Sequence, residues 1–171
     1  MRADNTFMHL LLKAGISMLL TLFLLGCDST NTPAQHSPEQ NKATELSSKN
    51  INEYANEMTN SYISIQEQLL KHYQQAKQSN NTYDFIQYRN HKWTPEYMSM
   101  KIRYSRDFEH NKAFLEKQPT APLFAIYENL IYIGLDLKNG LLENDEARQE
   151  KALEEAEKDK QQVISLQQQL K

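Results

Sequence analysis

Apolar residues change their spacing several times along this chain, and each change marks a different kind of segment. From Ala14 to Leu25 nearly every position is apolar. That run is too short to cross about 30 Å of hydrocarbon comfortably as a permanent helix. From Asp28 to about Ala43 the pattern vanishes into Ser, Thr, Asn and Gln with Pro33 and Pro38, the composition of a disordered tether. His36 stands alone in it and reads as solvated. Next, Ile51, Ala55, Met58, Tyr62, Ile65, Leu69 and Ala76 recur four and three residues apart, with His72 filling the one polar gap. This spacing predicts a helix from about Thr44 to Gln78, stopped at Ser79-Asn80-Asn81, whose side chains compete for backbone hydrogen bonds.

Thr82 is placed to cap a short helix over Tyr83 to Tyr88. Thr94-Pro95-Glu96 reads as an N-cap, a first-turn proline and a first-turn acid. They predict a helix to about Lys117, ended by Pro119, with Tyr97, Tyr104, Phe108 and Leu115 on one face. Pro122 opens the most apolar piece, Leu123 to Leu137, in which Asn129 and Asp136 share a narrow wet stripe. Lys138-Asn139-Gly140 supplies a basic last turn and a left-handed stop. A last helix from about Asn144 to the end carries Ala152, Ala156, Val163 and Leu166 or Leu170 on a thin apolar face. The expected fold is all-α, an antiparallel bundle of about four helices. Its polar first and last helices are the ones able to pair between chains as a coiled coil, giving a homo-oligomer. The segments divide as 1–26, a leader; 27–43, the tether; and 44–171, the helical domain.

Composition supports that reading. Four glycines and five prolines in 171 residues are too few for a turn-dense β sandwich. A formal charge of -3 gives no field that would gather nucleic acid, so no nucleic-acid partner is expected. The single cysteine, Cys27, leaves the domain without a disulfide or a thiolate metal ligand.

That cysteine carries the most specific signal in the chain. Arg2 and Lys13 precede the apolar run and Gly26 closes it, the basic, apolar and small-residue parts of a signal peptide. Met8 is as good a start as Met1, with Lys13 then as the basic residue. The run ends in Leu24-Leu25-Gly26-Cys27, which resembles the lipobox of bacterial lipoproteins. Leu25 stands where a small residue is more usual, and the resemblance covers only about the first 30 residues. It implies a diacylglyceryl group on Cys27 and cleavage in front of it, leaving a domain held to the cell envelope by lipid and facing the periplasm. With each buried methylene contributing about 0.8 kcal/mol, two or three acyl chains anchor it effectively for good. A tether of about 16 residues reaches roughly 20–25 Å. Asp28 resembles the inner-membrane retention signal of enteric lipoproteins, with the outer membrane as the alternative address.

Within the domain no motif carries catalysis. His72, His91 and His110 lack a second ligand at zinc spacing, no glycine-rich loop precedes a helix, and Ser61, Ser99 and Ser105 have no elbow or paired base. No cofactor, no metal and no enzymatic activity are expected. The candidate interaction surface is the stretch Tyr88 to Lys117, where Arg89, Lys92, Arg103 and Arg106 alternate with aromatics, and Trp93 sits just ahead of the predicted helix start as a staple or interface anchor. The competing reading makes the aromatics core and the cations the wet side of the same helix. The function this points to is a helical binding module with an envelope protein as partner. The alternatives are a pilotin-like secretion or assembly helper and an immunity or entry-exclusion lipoprotein.

Overall fold

The computed structural model describes residues 42–169, so Cys27, the leader and most of the tether lie outside the described residues. Every regular element within them is helical, and none is long and apolar enough to cross a membrane.

Helix α1 spans Ile51–Ser79, starting at the first residue of its apolar seam and not at the expected Thr44. The Ser47 N–H donates to Asn50 Oδ1 at 2.8 Å, and Asn50 Nδ2 donates to the Glu45 carbonyl at 2.9 Å. Those side-chain bonds offer the backbone an alternative to the helix. Residues 44–46 run along the end of a later helix instead. The α1 C-terminus falls where expected: Asn80 is left-handed (φ 52°), and the Asn81 N–H closes on the Ala76 carbonyl at 2.9 Å, a Schellman-type end.

Helix α2, Thr82–Tyr88, is capped by Asn81, whose side chain accepts from the Asp84 N–H, and not by Thr82. A larger departure follows. Arg89–Trp93 form a π-helical turn that leads without a break into α3, Thr94–His110, so Thr94 is helical and caps nothing. Its N–H reaches the Arg89 carbonyl five residues back. Pro95 has no N–H to give, and its ring would crowd the carbonyl four residues earlier. The wider π turn just before it absorbs that misfit, while Trp93 turns inward with no accessible surface. Helix α3 ends earlier than Lys117 because Asn111 (φ -108°) leaves the helical region. A single turn, α4 (Lys112–Leu115), follows.

Helix α5 runs Ala121–Glu143, past the expected stop at Lys138-Asn139-Gly140. Gly140 is a buried point of close approach inside the helix, and the left-handed residue is Asn144 (φ 52°). Asp145 then caps α6, Glu146–Gln168, accepting from the Arg148 N–H at 3.0 Å. Partners along α5 and α6 run in opposite senses: Asn129 with Asp159, Asp136 with Arg148, Gly140 with Gln149. The wet stripe of Asn129 and Asp136 is therefore the polar seam to α6. Helix α6 likewise runs against α1, through Gln66 to the Ala156 carbonyl (2.7 Å) and Tyr73 to Gln149 (2.7 Å). Helix α3 runs against α1, through Tyr54 with Asp107 (2.8 Å) and Trp93 with the Ile65 carbonyl (2.8 Å).

The shared core contains Met58, Tyr62, Leu69, Trp93, Tyr97, Leu115, Leu130, Leu137, Ala156 and Val163, all without accessible surface. The apolar seams of the first and last helices are thus spent within the chain. The outward faces of α1 and α6 are mostly Asn, Gln, Ser, Lys and Glu, with Ile63, Leu70, Leu153, Ile164 and Leu166 partly exposed between the two kinds of surface.

Candidate functional site

The five residues singled out between Arg89 and Arg106 do not share one surface. Trp93 is core: its indole donates to the Ile65 carbonyl and stacks on Tyr97 at 5.1 Å. It staples α3 to α1 and offers no ring to a partner. Arg89 is 9% exposed, bonds through its guanidinium to Asn90 Oδ1 at 3.1 Å, and is depressed by burial. Lys92 is exposed and sits 6.0 Å from the Tyr88 ring, which stacks on His72 at 3.5 Å. Burial, and then the charges of Lys71 and Lys92, lower the His72 imidazole. Arg103 turns toward α1, where it bonds Glu57 and lies over the Tyr104 ring at 4.7 Å. Burial is the largest single influence and works against its charge, but the Glu57 hydrogen bond together with the charge interactions of Tyr104, Glu57 and Tyr54 raises it on balance. Arg106 lies 3.9 Å from the fully buried Asp107. Helical rotation distributes these cations around the α2–α3 rod, and two of them are matched by carboxylates within the domain.

What α3 does present is a cleft against α5. It holds about 210 Å³. Tyr104 and Phe108 from one helix and Phe124 and Tyr127 from the other make its floor, Ala121 and Ala125 leave its room, and Lys101, Ser105, Glu109 and Glu128 form its rim. The rings are not coplanar: Tyr104 and Tyr127 meet at 64° with centroids 4.8 Å apart, Phe108 and Phe124 at 53° and 5.0 Å. Over the mouth, Lys101 Nζ lies 3.4 Å from Glu128 Oε1, and the Ser105 hydroxyl donates to the same oxygen at 3.2 Å. Glu109 is exposed and joins no ion pair among the described residues.

The floor is rigid because it is the outer edge of a continuous aromatic ladder. Tyr127 stacks on Tyr97 at 5.9 Å, and Tyr104 and Phe124 both pack on Tyr54. Burial raises the Tyr54, Tyr97 and Tyr127 hydroxyls far above the usual phenol range, so they act as neutral donors. Tyr97 bonds the Tyr127 carbonyl at 3.0 Å, and Tyr127 shares a hydrogen bond with Ser61 at 3.1 Å. The hydroxyls are satisfied behind the rings, and Tyr104 and Tyr127 are almost fully buried, so what the cleft offers is chiefly the partly exposed Phe108, the edge of Phe124 and the two alanines, with carboxylates above.

At the α2 end of the domain a polar hollow of about 450 Å³ lies among Lys77, Asn80, Thr82, Asn144, Asp145 and Gln149. Its principal side chains are committed to structure: Asp145 caps α6, and Gln149 holds Tyr73 and the Gly140 carbonyl. No group of three or more His, Cys, Asp or Glu among the described residues is placed to hold a metal ion.

Reading α3 as core face and wet face did not bring Lys101, Ser105, Glu109, Phe124 and Glu128 together in one place. A weak signal was present: Lys101, Ser105 and Glu109 recur every four residues, as do Ala121 and Ala125. Two alanines at such spacing leave a trough when the opposite helix brings large rings. Comparison of the chain with protein-family models, with curated proteins and with solved structures finds no match.

Proposed function

We propose that the chain is a cell-envelope lipoprotein, anchored by lipid on Cys27 and facing the periplasm, whose helical domain binds another envelope component and does not catalyse. Asp28 favours the inner membrane. We also infer that α1, α3, α5 and α6 form one four-helix bundle, in which α1 with α3, α1 with α6, α3 with α5 and α5 with α6 run in opposite senses, while α1 and α5, which meet through Tyr54 with Phe124 and Ser61 with Tyr127, run in the same sense.

The observation that carries the binding reading is the α3–α5 cleft. A recess with an aromatic floor and a few convergent polar groups is the usual form of a recognition site. A photoreactive residue at Ala125, in the cleft, should give a crosslink in the native cell that is absent when it is placed at the exposed Gln74 of α1. Identical products from both positions would refute the assignment. For the anchor, Cys27→Ser should accumulate a larger precursor that incorporates no labelled palmitate, and unchanged size and labelling would remove the lipid from the reading.

A further inference from the structure

We propose that Arg89 forms the floor of a carboxylate-binding site at the π turn, taking a free carboxylic acid or the C-terminal carboxylate of a partner chain. No residue lining the α3–α5 cleft belongs to it, so it stands or falls apart from that cleft.

Position puts a cation where a core side chain belongs. Phe85, Arg89 and Trp93 recur every four residues, which sets them in one stripe along α2 and the π turn. Phe85 packs on Tyr73 with centroids 5.7 Å apart, and Trp93 gives its indole N–H to the Ile65 carbonyl. Arg89, midway between two core rings, is buried with them.

Nothing among the described residues balances its charge. The other arginines there each have a carboxylate beside them: Arg103 has Glu57, Arg106 has Asp107, and Arg148 has Asp136 and Glu143. Arg89 is more buried than any of these, and burial alone moves it, with no neighbouring carboxylate to offset the loss of water. Its acceptor is the Asn90 Oδ1, which is neutral and belongs to an exposed residue. Nε is closed to water and bonds nothing. Buried charges are ordinarily paired, because an uncompensated one is strongly destabilising. The domain is short of one anion at this point.

The free part of the guanidinium defines the ligand. Nη1 donates to Asn90, and Nη2 has no partner yet is not closed to water as Nε is, so an anion arrives at the Nη1–Nη2 end. Two coplanar donors match the two oxygens of a carboxylate, the second oxygen taking Nη1 from Asn90. Lys92 lies over Tyr88 and, with Lys71, acts on His72, not on Arg89. One guanidinium balances a monoanion, which selects a carboxylate over a phosphate dianion.

The test titrates the full chain, extracted into non-ionic micelles and isotope-labelled at arginine, with sodium acetate, chloride or phosphate at matched ionic strength near neutral pH. Acetate should shift the Arg89 guanidinium resonances saturably and raise the urea midpoint, while chloride and phosphate bind at least about threefold more weakly. Arg89→Met should abolish both effects, and Arg89→Lys, which keeps the charge and loses the fork, should weaken binding about tenfold. Asn90→Ala should tighten it, because the internal acceptor is gone, and Lys92→Gln should leave it unchanged. A purely structural guanidinium would give none of these responses.

A blocked peptide with a free C-terminus, compared with its amide, separates the sources. Binding by the free-ended peptide and not by the amide assigns the end of a partner chain, whereas acetate binding with both peptides excluded assigns a free acid. No saturation with acetate, chloride or phosphate binding as tightly as acetate, or an amide binding as well as the free-ended peptide would overturn the carboxylate. An acetate response retained in Arg89→Met would overturn the site.

Discussion

Gly140→Ala tests the packing of α5 on α6 by the sign of its effect. In an ordinary exposed helix interior, replacing glycine by alanine stabilises by about 1 kcal/mol. At Gly140 an added Cβ would stand 2.6 Å from Gln149 Cγ, 3.1 Å from the Asp145 carbonyl oxygen and 3.3 Å from the Gln149 backbone nitrogen. Two of those three neighbours are backbone of the α6 cap, so the clash is relieved only by moving α6 or the Gln149 side chain. Overpacking of this kind costs about 1–3 kcal/mol. Displacing Gln149 also threatens its bonds to the Gly140 carbonyl (2.8 Å) and from Tyr73 (2.7 Å), each worth about 1 kcal/mol net. Set against the helix-propensity gain, the balance is a loss of about 1–3 kcal/mol. Urea unfolding followed by circular dichroism reads this directly, the midpoint falling with little change in slope. A variant equal to or more stable than the parent would show that α5 and α6 do not approach closely at Gly140.

Three further expectations follow from buried polar groups. Trp93→Phe should destabilise by about 2 kcal/mol through the lost indole bond and the void left by the smaller ring, whereas an unchanged midpoint would mean that Trp93 is not core. Asp107→Ala leaves Thr44 and Tyr54 without an acceptor and should cost about 3 kcal/mol. The Thr44 and Leu46 amides should lose hydrogen-exchange protection first, and retained protection there would refute the clasp. Asp159 is raised above its ordinary 3.8 by desolvation, partly offset by Asn129. The folded state thus holds that proton more tightly, a stabilisation present below about pH 3.8 and lost as pH rises through the higher folded value. Asp159→Asn should then gain stability relative to the parent between pH 3 and pH 7, and a difference independent of pH would show that Asp159 is not desolvated.

The sequence by itself determined the all-helical character, the α1 seam and its stop at Asn80, because a periodic apolar stripe and an Asn pair are local facts that need no partner helix. It also supplied the Cys27 signal, which is a matter of linear order. It did not determine where helices begin and end when a distant group decides. Residues 44–50 carry helical signals, yet Asp107 and Asn111, more than 60 residues away, hold Thr44 and Leu46 out of the helix. Gly140 carries every local mark of a stop, but the closeness of Gln149 makes it a packing glycine.

Trp93 and Pro95 looked like a loop and a fresh start. Burying the indole against Ile65 sustains the helix across them, at the cost of one π turn. The candidate site was illegible for the same reason. Lys101, Glu109, Phe124 and Glu128 are unremarkable on their own helices, and only the apposition of α3 and α5 converts two alanines and four rings into a cleft. A helix's own residues establish which side is apolar; the free energy of burying that side against another helix sets what is left between them.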